Sequence, residues 1–312
     1  MALFFRKRKR TPKHDVDVEP WKDHENVSRE TAIQTPTGPR RAFFDRADDD
    51  WEADDEYGTE CDEDTRVPTL PRPENPRVFV VANQKGGVGK TTSTVNVATA
   101  LAFGGLNVLV VDIDPQGNAS TALGIDHDPG TPGTYEVLLR GERIQDLAKQ
   151  SPHSPNLHVL PATVDLSTAE LELVNEPGRE SKMKKALTAY IEESGVDYVF
   201  FDCPPSLGLL TLNALVASNE IMVPIQCEYY ALEGVSQLMR TIQRVKGNLN
   251  DRLQLTTVLL TMFDNRTNLS HEVAGEVRAH FGKETLDVEI PRSVRIAEAP
   301  SYGQSVLTYY PK

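Results

Sequence analysis

The run Lys85-Gly86-Gly87-Val88-Gly89-Lys90-Thr91-Thr92 constrains this chain more than any other segment. An apolar stretch, Val78-Phe79-Val80-Val81, precedes it, and a helix-compatible stretch, Ser93 to Phe103, follows. Strand, glycine-rich loop and helix in that order make a phosphate cradle. The small residues let backbone N–H groups turn toward an anion with no Cβ in the way. The helix adds the positive end of its dipole. Lys90 is placed to reach β- and γ-phosphates, and the Thr91 hydroxyl to ligate Mg²⁺. The ordinary phosphate-loop pattern has glycine five residues before Gly89, where this chain has Gln84. In exchange, a second lysine, Lys85, stands at the mouth of the loop. A merely flexible loop with two solvated lysines leaves the matching strand and helix patterns on either side unexplained.

From about residue 76 the chain alternates between strand-like and helix-like segments. Strands are expected at Arg77–Asn83, Val108–Ile113, Leu157–Leu160, Tyr198–Asp202, Ile221–Ile225, Thr256–Met262 and Leu286–Ile290. Several are continuous apolar runs, which suits strands buried on both faces. Helices are expected at Thr92–Phe103, Glu180–Glu193, Leu209–Ala217, Leu232–Leu249 and Ser270–Phe281. Each connection is long enough for a right-handed crossover. The expectation is an α/β fold: a doubly wound, mostly parallel sheet with its ligand at the carboxyl ends of the strands.

Residues 1–75 read differently. Arg6 to Arg10 is an unbroken basic run, whereas acidic residues dominate from Asp45 to Asp64, and little apolar surface is available for a core. This portion reads as a disordered, charged extension, with Pro68-Thr69-Leu70-Pro71-Arg72-Pro73 as a stiff linker into a domain spanning 76–312. The basic run could touch DNA or anionic lipid, with Leu3, Phe4 and Phe5 as a shallow anchor, or be an inert solvated tail. Phe43-Phe44 could be a short docking motif. The net charge of −13 means that any DNA contact must come from a local basic patch. Three cysteines without metal-ligand spacing fit free thiols in a reducing cytoplasm. No apolar run approaches the roughly 20 residues of a membrane span, and the charge order at the start argues against secretion.

Two strands end in acid. Val108-Leu109-Val110-Val111-Asp112-Ile113-Asp114-Pro115 puts Asp112 and Asp114 on one strand face, with Asp114 at the tip. Tyr198-Val199-Phe200-Phe201-Asp202-Cys203-Pro204 repeats the design. Strand-terminal aspartates beside a phosphate loop hold Mg²⁺ and its waters, so Asp202 is expected near the metal and Asp114 near the attacking water. A cap on the next helix is the plainer alternative for each. Asp112 reads as structural.

With these segments in hand, the chain resembles ParA/Soj-type chromosome- or plasmid-partitioning ATPases of the deviant Walker A class, over roughly Val78 to Tyr309. The resemblance rests on Asn83 through Thr92, Val111 through Ala119, Asp202 through Gly208, Gln226 through Gly234, Leu260 through Leu269 and Ile290 through Ser301. It implies ATP and Mg²⁺ held by Lys85, Gly86, Gly87, Val88, Gly89, Lys90, Thr91 and Thr92, with Asp202 supporting the metal. It further implies that Lys85 reaches across an ATP-dependent homodimer to the partner's nucleotide, and that Asp114 orients the hydrolytic water.

The same resemblance places the Pro291–Ser293 segment by the adenine, although members often carry Asn where this chain has Ser293. Arg266 and Arg295 match positions that contact DNA nonspecifically, whereas a lone arginine read from sequence alone is a solvated or salt-bridged side chain. A ParB-type centromere-binding protein is the implied partner, and a cytoplasmic, nucleoid-associated location follows. Members normally continue through a Ser-Arg-Gly segment into a last helix, which implies that this chain stops short at Lys312. Two rivals remain: a MinD-like membrane-cycling ATPase, which shares the deviant loop, and a non-catalytic DNA-binding scaffold.

Overall fold

The computed structural model describes residues 69–229 and 231–311, apart from the side chains of residues 232–234. The charged segment 1–68, including the Arg6–Arg10 run and the Phe43-Phe44 pair, lies outside the described residues. So does Cys61.

Eight strands form one sheet: β1 (Arg77–Val81), β2 (Val108–Asp112), β3 (Lys149–Gln150), β4 (Leu157–Leu160), β5 (Tyr198–Asp202), β6 (Glu220–Gln226), β7 (Gln254–Phe263) and β8 (Thr285–Pro291). Their order is β3-β4-β2-β5-β1-β6-β7-β8. Every pairing is parallel except the short β3–β4 edge. The doubly wound, mostly parallel α/β sheet expected from the sequence is therefore the observed fold. Parallel pairing brings the carboxyl ends of β1, β2, β5, β6, β7 and β8 to one edge, where α/β sheets bind ligands.

The apolar strands work because successive residues face opposite layers. Val78 and Val80 of β1, Leu109 and Val111 of β2, and Val199 and Phe201 of β5 enter one core. Phe79 and Val81, Val108 and Val110, and Phe200 enter the other. There the Phe79 and Phe200 rings stack at 5.3 Å. The helix Lys90–Phe103 covers this second core with Val95, Ala98 and Ala102. Helices Lys182–Ser194, Leu209–Ala217, Ala231–Asn248 and Asn268–Phe281 cover the first. In the third of these, Val235, Leu238, Ile242 and Val245 recur at the helical period and are buried.

The described chain begins packed against the domain. Leu70 donates its N–H to the Gly104 carbonyl at 2.9 Å, and its side chain lies where a Cβ on Gly104 would sit. Short helices at Asn118–Ala122, Thr134–Arg140, Ile144–Leu147 and Leu166–Leu173 were not expected from periodicity, because each is too brief to show one.

Candidate functional site

The loop after β1 delivers the cradle. Gly87 and Gly89 take φ of 73° and 90°, a left-handed conformation that side chains disfavour and glycine adopts freely. Gly89 is the residue before the helix Lys90–Phe103 and supplies no side-chain cap, so the first-turn N–H groups remain available to an anion. A Cβ at Gly86 or Gly87 would meet open space. The loop is fixed from below: the Thr261 hydroxyl of β7 donates to the Val88 carbonyl at 2.8 Å. Asn83 bridges to the Pro224 carbonyl of β6 at 2.8 Å.

Lys90 is buried, and its Nζ turns back toward the Lys85 carbonyl at 3.4 Å. Burial lowers the pKa of its amine below the usual lysine range, opposed by the charges of Asp202, Cys203 and Asp114. A phosphate placed on the loop would satisfy that ammonium. Thr91, one residue on, donates its hydroxyl to Asp202 Oδ2 at 2.7 Å. Thr94, three residues further along the same helix face, donates to Asp202 Oδ1 at 3.2 Å. Asp202 thereby orients the Thr91 oxygen, leaving its lone pairs free for a cation.

Asp112 and Asp202 are register neighbours on β2 and β5, and both are fully buried. Burial raises the pKa of each carboxyl, and the nearby aspartate charge raises it further. Asp114 ends the same segment at the rim of the site. Its Oδ1 accepts the Gln116 N–H at 3.0 Å.

These donors fit a nucleotide with Mg²⁺. Among the described residues no group of three or more His, Cys, Asp or Glu side chains could hold a metal ion. Mg²⁺ does not need one, since it is commonly bound by one or two protein oxygens, substrate phosphates and waters. Thr91 and Asp202 are suited to that arrangement. Beside the loop, a cavity of about 420 Å³ is lined by Gly89, Thr92, Asn96, Met262, Pro291 and Ser293 among others. Pro291 and Ser293, which the resemblance places by the adenine, line this cavity together with Gly89 and Thr92.

Lys85 is engaged inside its own chain. Its Nζ lies 3.1 Å from Glu228 Oε2, and Arg292 approaches the other oxygen of Glu228 at 3.7 Å. Arg266 is exposed and forks onto Asp264 through two bonds of 2.9 Å. That pairing holds the Asp264 carboxyl down at about 2. The guanidinium of Arg295 stacks on Tyr310 at 3.5 Å.

The structure therefore brings Lys85, Gly86, Gly87, Val88, Gly89, Lys90, Thr91, Thr92, Asp114 and Asp202 to one edge. Both arginines are outside that cluster, each with an intramolecular partner. Sequence reasoning missed Thr94, Thr261 and Glu228. Thr94 was legible as a polar residue one helical turn beyond Thr91. Thr261 lies on β7 and Glu228 in the loop after β6; both fall inside strings that carry the resemblance, but nothing local says that they meet the loop.

A family model described as an AAA domain matches residues 76–255. The chromosome partitioning protein ParA of Caulobacter vibrioides (strain NA1000 / CB15N) is 50% identical over 233 residues, which cover 75% of this chain and 87% of that protein. The sporulation initiation inhibitor protein Soj of Bacillus subtilis (strain 168) is 48% identical over 236 residues, covering 76% of this chain and 92% of that one. Among solved structures, a cobyrinic acid a,c-diamide synthase from Mycobacterium smegmatis with bound ADP and magnesium is 38% identical. It matches with a TM-score of 0.64 over 75% of this chain and 95% of its own.

Proposed function

The chain belongs to the ParA/Soj family of chromosome-partitioning ATPases, and we propose that it is an ATP-switched DNA segregation ATPase. ATP binds on the loop from Lys85 to Thr92, and its base occupies the cavity beside Pro291 and Ser293. Mg²⁺, held by Thr91 and supported by Asp202, supplies charge neutralisation at the phosphates. Lys90 places its ammonium on the same oxygens. Asp114 orients the attacking water. The observation that carries this reading is the convergence of Lys90, Thr91, Asp114 and Asp202 on the carboxyl edge beside two left-handed glycines.

In this reading Lys85 exchanges Glu228 for the nucleotide of a second copy, so ATP favours a homodimer. An exposed ion pair contributes little, on the order of 0–1 kcal/mol, and opposes that exchange weakly. Arg266 and Arg295 then meet DNA phosphates without reading sequence. Each appears twice in a dimer, which gives an acidic protein a local basic patch. A ParB-type partner accelerates hydrolysis, and the ADP form releases DNA, which makes the protein nucleoid-associated.

The test is binding to a random-sequence duplex with ATP, ADP or no nucleotide, across a salt series, in wild type and Lys85→Ala. Binding with ATP alone, lost in the variant, is expected. Equal binding in all three states would overturn the switch and favour a constitutive scaffold.

A further inference from the structure

The one carboxylate in this site without a task is Asp112. It is fully buried, and its register neighbour across the sheet is another aspartate, Asp202. Placing two acids side by side in a core is costly, and an apolar residue of similar size would serve a strand better. Asp112 therefore does something that an apolar residue cannot.

Its hydrogen bonds show what that is. Asp112 Oδ1 accepts the backbone N–H of Asp114 at 3.2 Å. Its Oδ2 accepts both the N–H and the hydroxyl of Ser120, at 2.8 and 2.7 Å. One side chain thus spans the turn from 114 to 120 and ties its two ends together. The anchor is itself anchored. The Ser120 oxygen accepts the Ala162 N–H at 3.2 Å, and the Asp112 carbonyl accepts the Thr134 hydroxyl at 2.7 Å. Ser120 and Thr134 are fully buried, so these bonds form away from competing water. Before the turn, Ile113 donates its N–H to the Asp202 carbonyl at 3.0 Å, which ties the end of β2 to β5. Asp114 itself is further bonded, among the described residues, through the Gln116 and Gly117 N–H groups, the latter at 2.9 Å from the Asp114 carbonyl, and those two bonds are local and move with the turn.

We propose that Asp112 is a positioning residue for hydrolysis, fixing Asp114 through its backbone N–H, and that Ser120 holds Asp112 in the orientation that does so. The inference rests on the reading of Asp114 as the residue that orients the attacking water. Displacing such a group by about 1 Å costs on the order of a hundredfold in rate. Because the Asp112 side chain faces the turn and not the phosphate loop, its loss affects turnover and spares nucleotide binding.

The experiment is a double-mutant cycle in the full chain, with Asp112→Asn, Asp114→Ala and the pair together. ATP turnover on random-sequence duplex DNA gives kcat and KM, and equilibrium binding of a non-hydrolysable ATP analogue gives affinity. Asp112→Asn keeps the size of the side chain but replaces an oxygen that accepts a hydrogen bond with an NH2 group that cannot. The expected result is a kcat lowered on the order of tenfold or more, with analogue affinity within about twofold. The double variant should be no slower than Asp114→Ala alone, because both changes remove the same function. Multiplying effects would overturn the proposal, as would an unchanged kcat in Asp112→Asn, or analogue affinity falling in step with kcat. If Asp112→Asn does not fold, Ser120→Ala enters the same cycle with the same criteria. Wild-type turnover by Asp114→Ala would show instead that the reading of Asp114 is wrong.

Discussion

At the scale of single residues, the site is governed by burial of charge. Asp112 and Asp202 share a dry strand pair, and burial pushes their carboxyls up to about 8 and about 7. Both values exceed the ordinary aspartate value of about 4, so the folded protein holds protons that the unfolded chain releases. Stability from this source is fully present below about pH 4 and is lost as pH rises through about 7 to 8. In the protein free of nucleotide and magnesium, the thermal midpoint should therefore fall as pH rises from about 5 to about 8.5. Asp202→Asn should flatten that slope, and a thermal-melt series across pH in both proteins checks it. An upward slope in wild type would mean that Lys90 compensates the pair more than burial opposes it. Of this chemistry, the sequence disclosed the aspartates but not their pairing. Nothing in either local string says that residues 112 and 202 become register neighbours.

At the scale of elements, the loop is held by strands that are remote in sequence. Thr261 on β7 donates to the Val88 carbonyl, and its methyl lies 3.7 Å from where a Cβ on Gly89 would be. Thr261→Val keeps the shape and removes the hydroxyl. It should cost about 1 kcal/mol of stability and weaken ATP binding several-fold, measurable by chemical denaturation and by nucleotide titration. Unchanged nucleotide affinity would show that the loop keeps its conformation without this tether.

Gly133 illustrates the same dependence on a neighbour. Its backbone is extended, so any residue could adopt its φ. Yet a Cβ there would overlap the Pro161 carbonyl oxygen. Gly133→Ala should destabilise the protein by about 1–3 kcal/mol through overpacking. It should also disturb the adjacent Thr134 bond to Asp112. A denaturation midpoint equal to that of wild type would contradict this. The glycines of the phosphate loop could be read from their pattern, whereas the demand at Gly133 is set by a loop nearly thirty residues away.

At the scale of the whole molecule, the proposed DNA contact would draw on arginines from two copies. Arg266 is neutralised by Asp264 at two hydrogen bonds, and the chain as a whole carries a charge of −13. A DNA phosphate must compete with that carboxylate. Asp264→Asn removes the competing charge and leaves an arginine free to meet the backbone. ATP-dependent DNA affinity should rise a few-fold, and the slope of log affinity against log salt should steepen by about one phosphate contact per arginine engaged. Filter binding or anisotropy across a salt series measures both. An unaltered slope would place Arg266 away from DNA.

The sequence by itself determined the class of fold, the phosphate loop and the identity of its acids. Those features are written locally, in residues adjacent along the chain: apolar runs that bury both faces of a strand, glycines that permit left-handed turns, and strands that end in aspartate. Only the tertiary structure decided what each group touches. It set Asp202 under Thr91 and Thr94, placed Asp112 between Asp114 and Ser120, engaged Lys85 with Glu228 and hung the loop from Thr261. The physical reason is separation. Several of these partners lie more than a hundred residues apart and meet because parallel strands bring their carboxyl ends to one edge. A local pattern can specify a strand, but the neighbour of that strand is chosen by how all the layers pack at once.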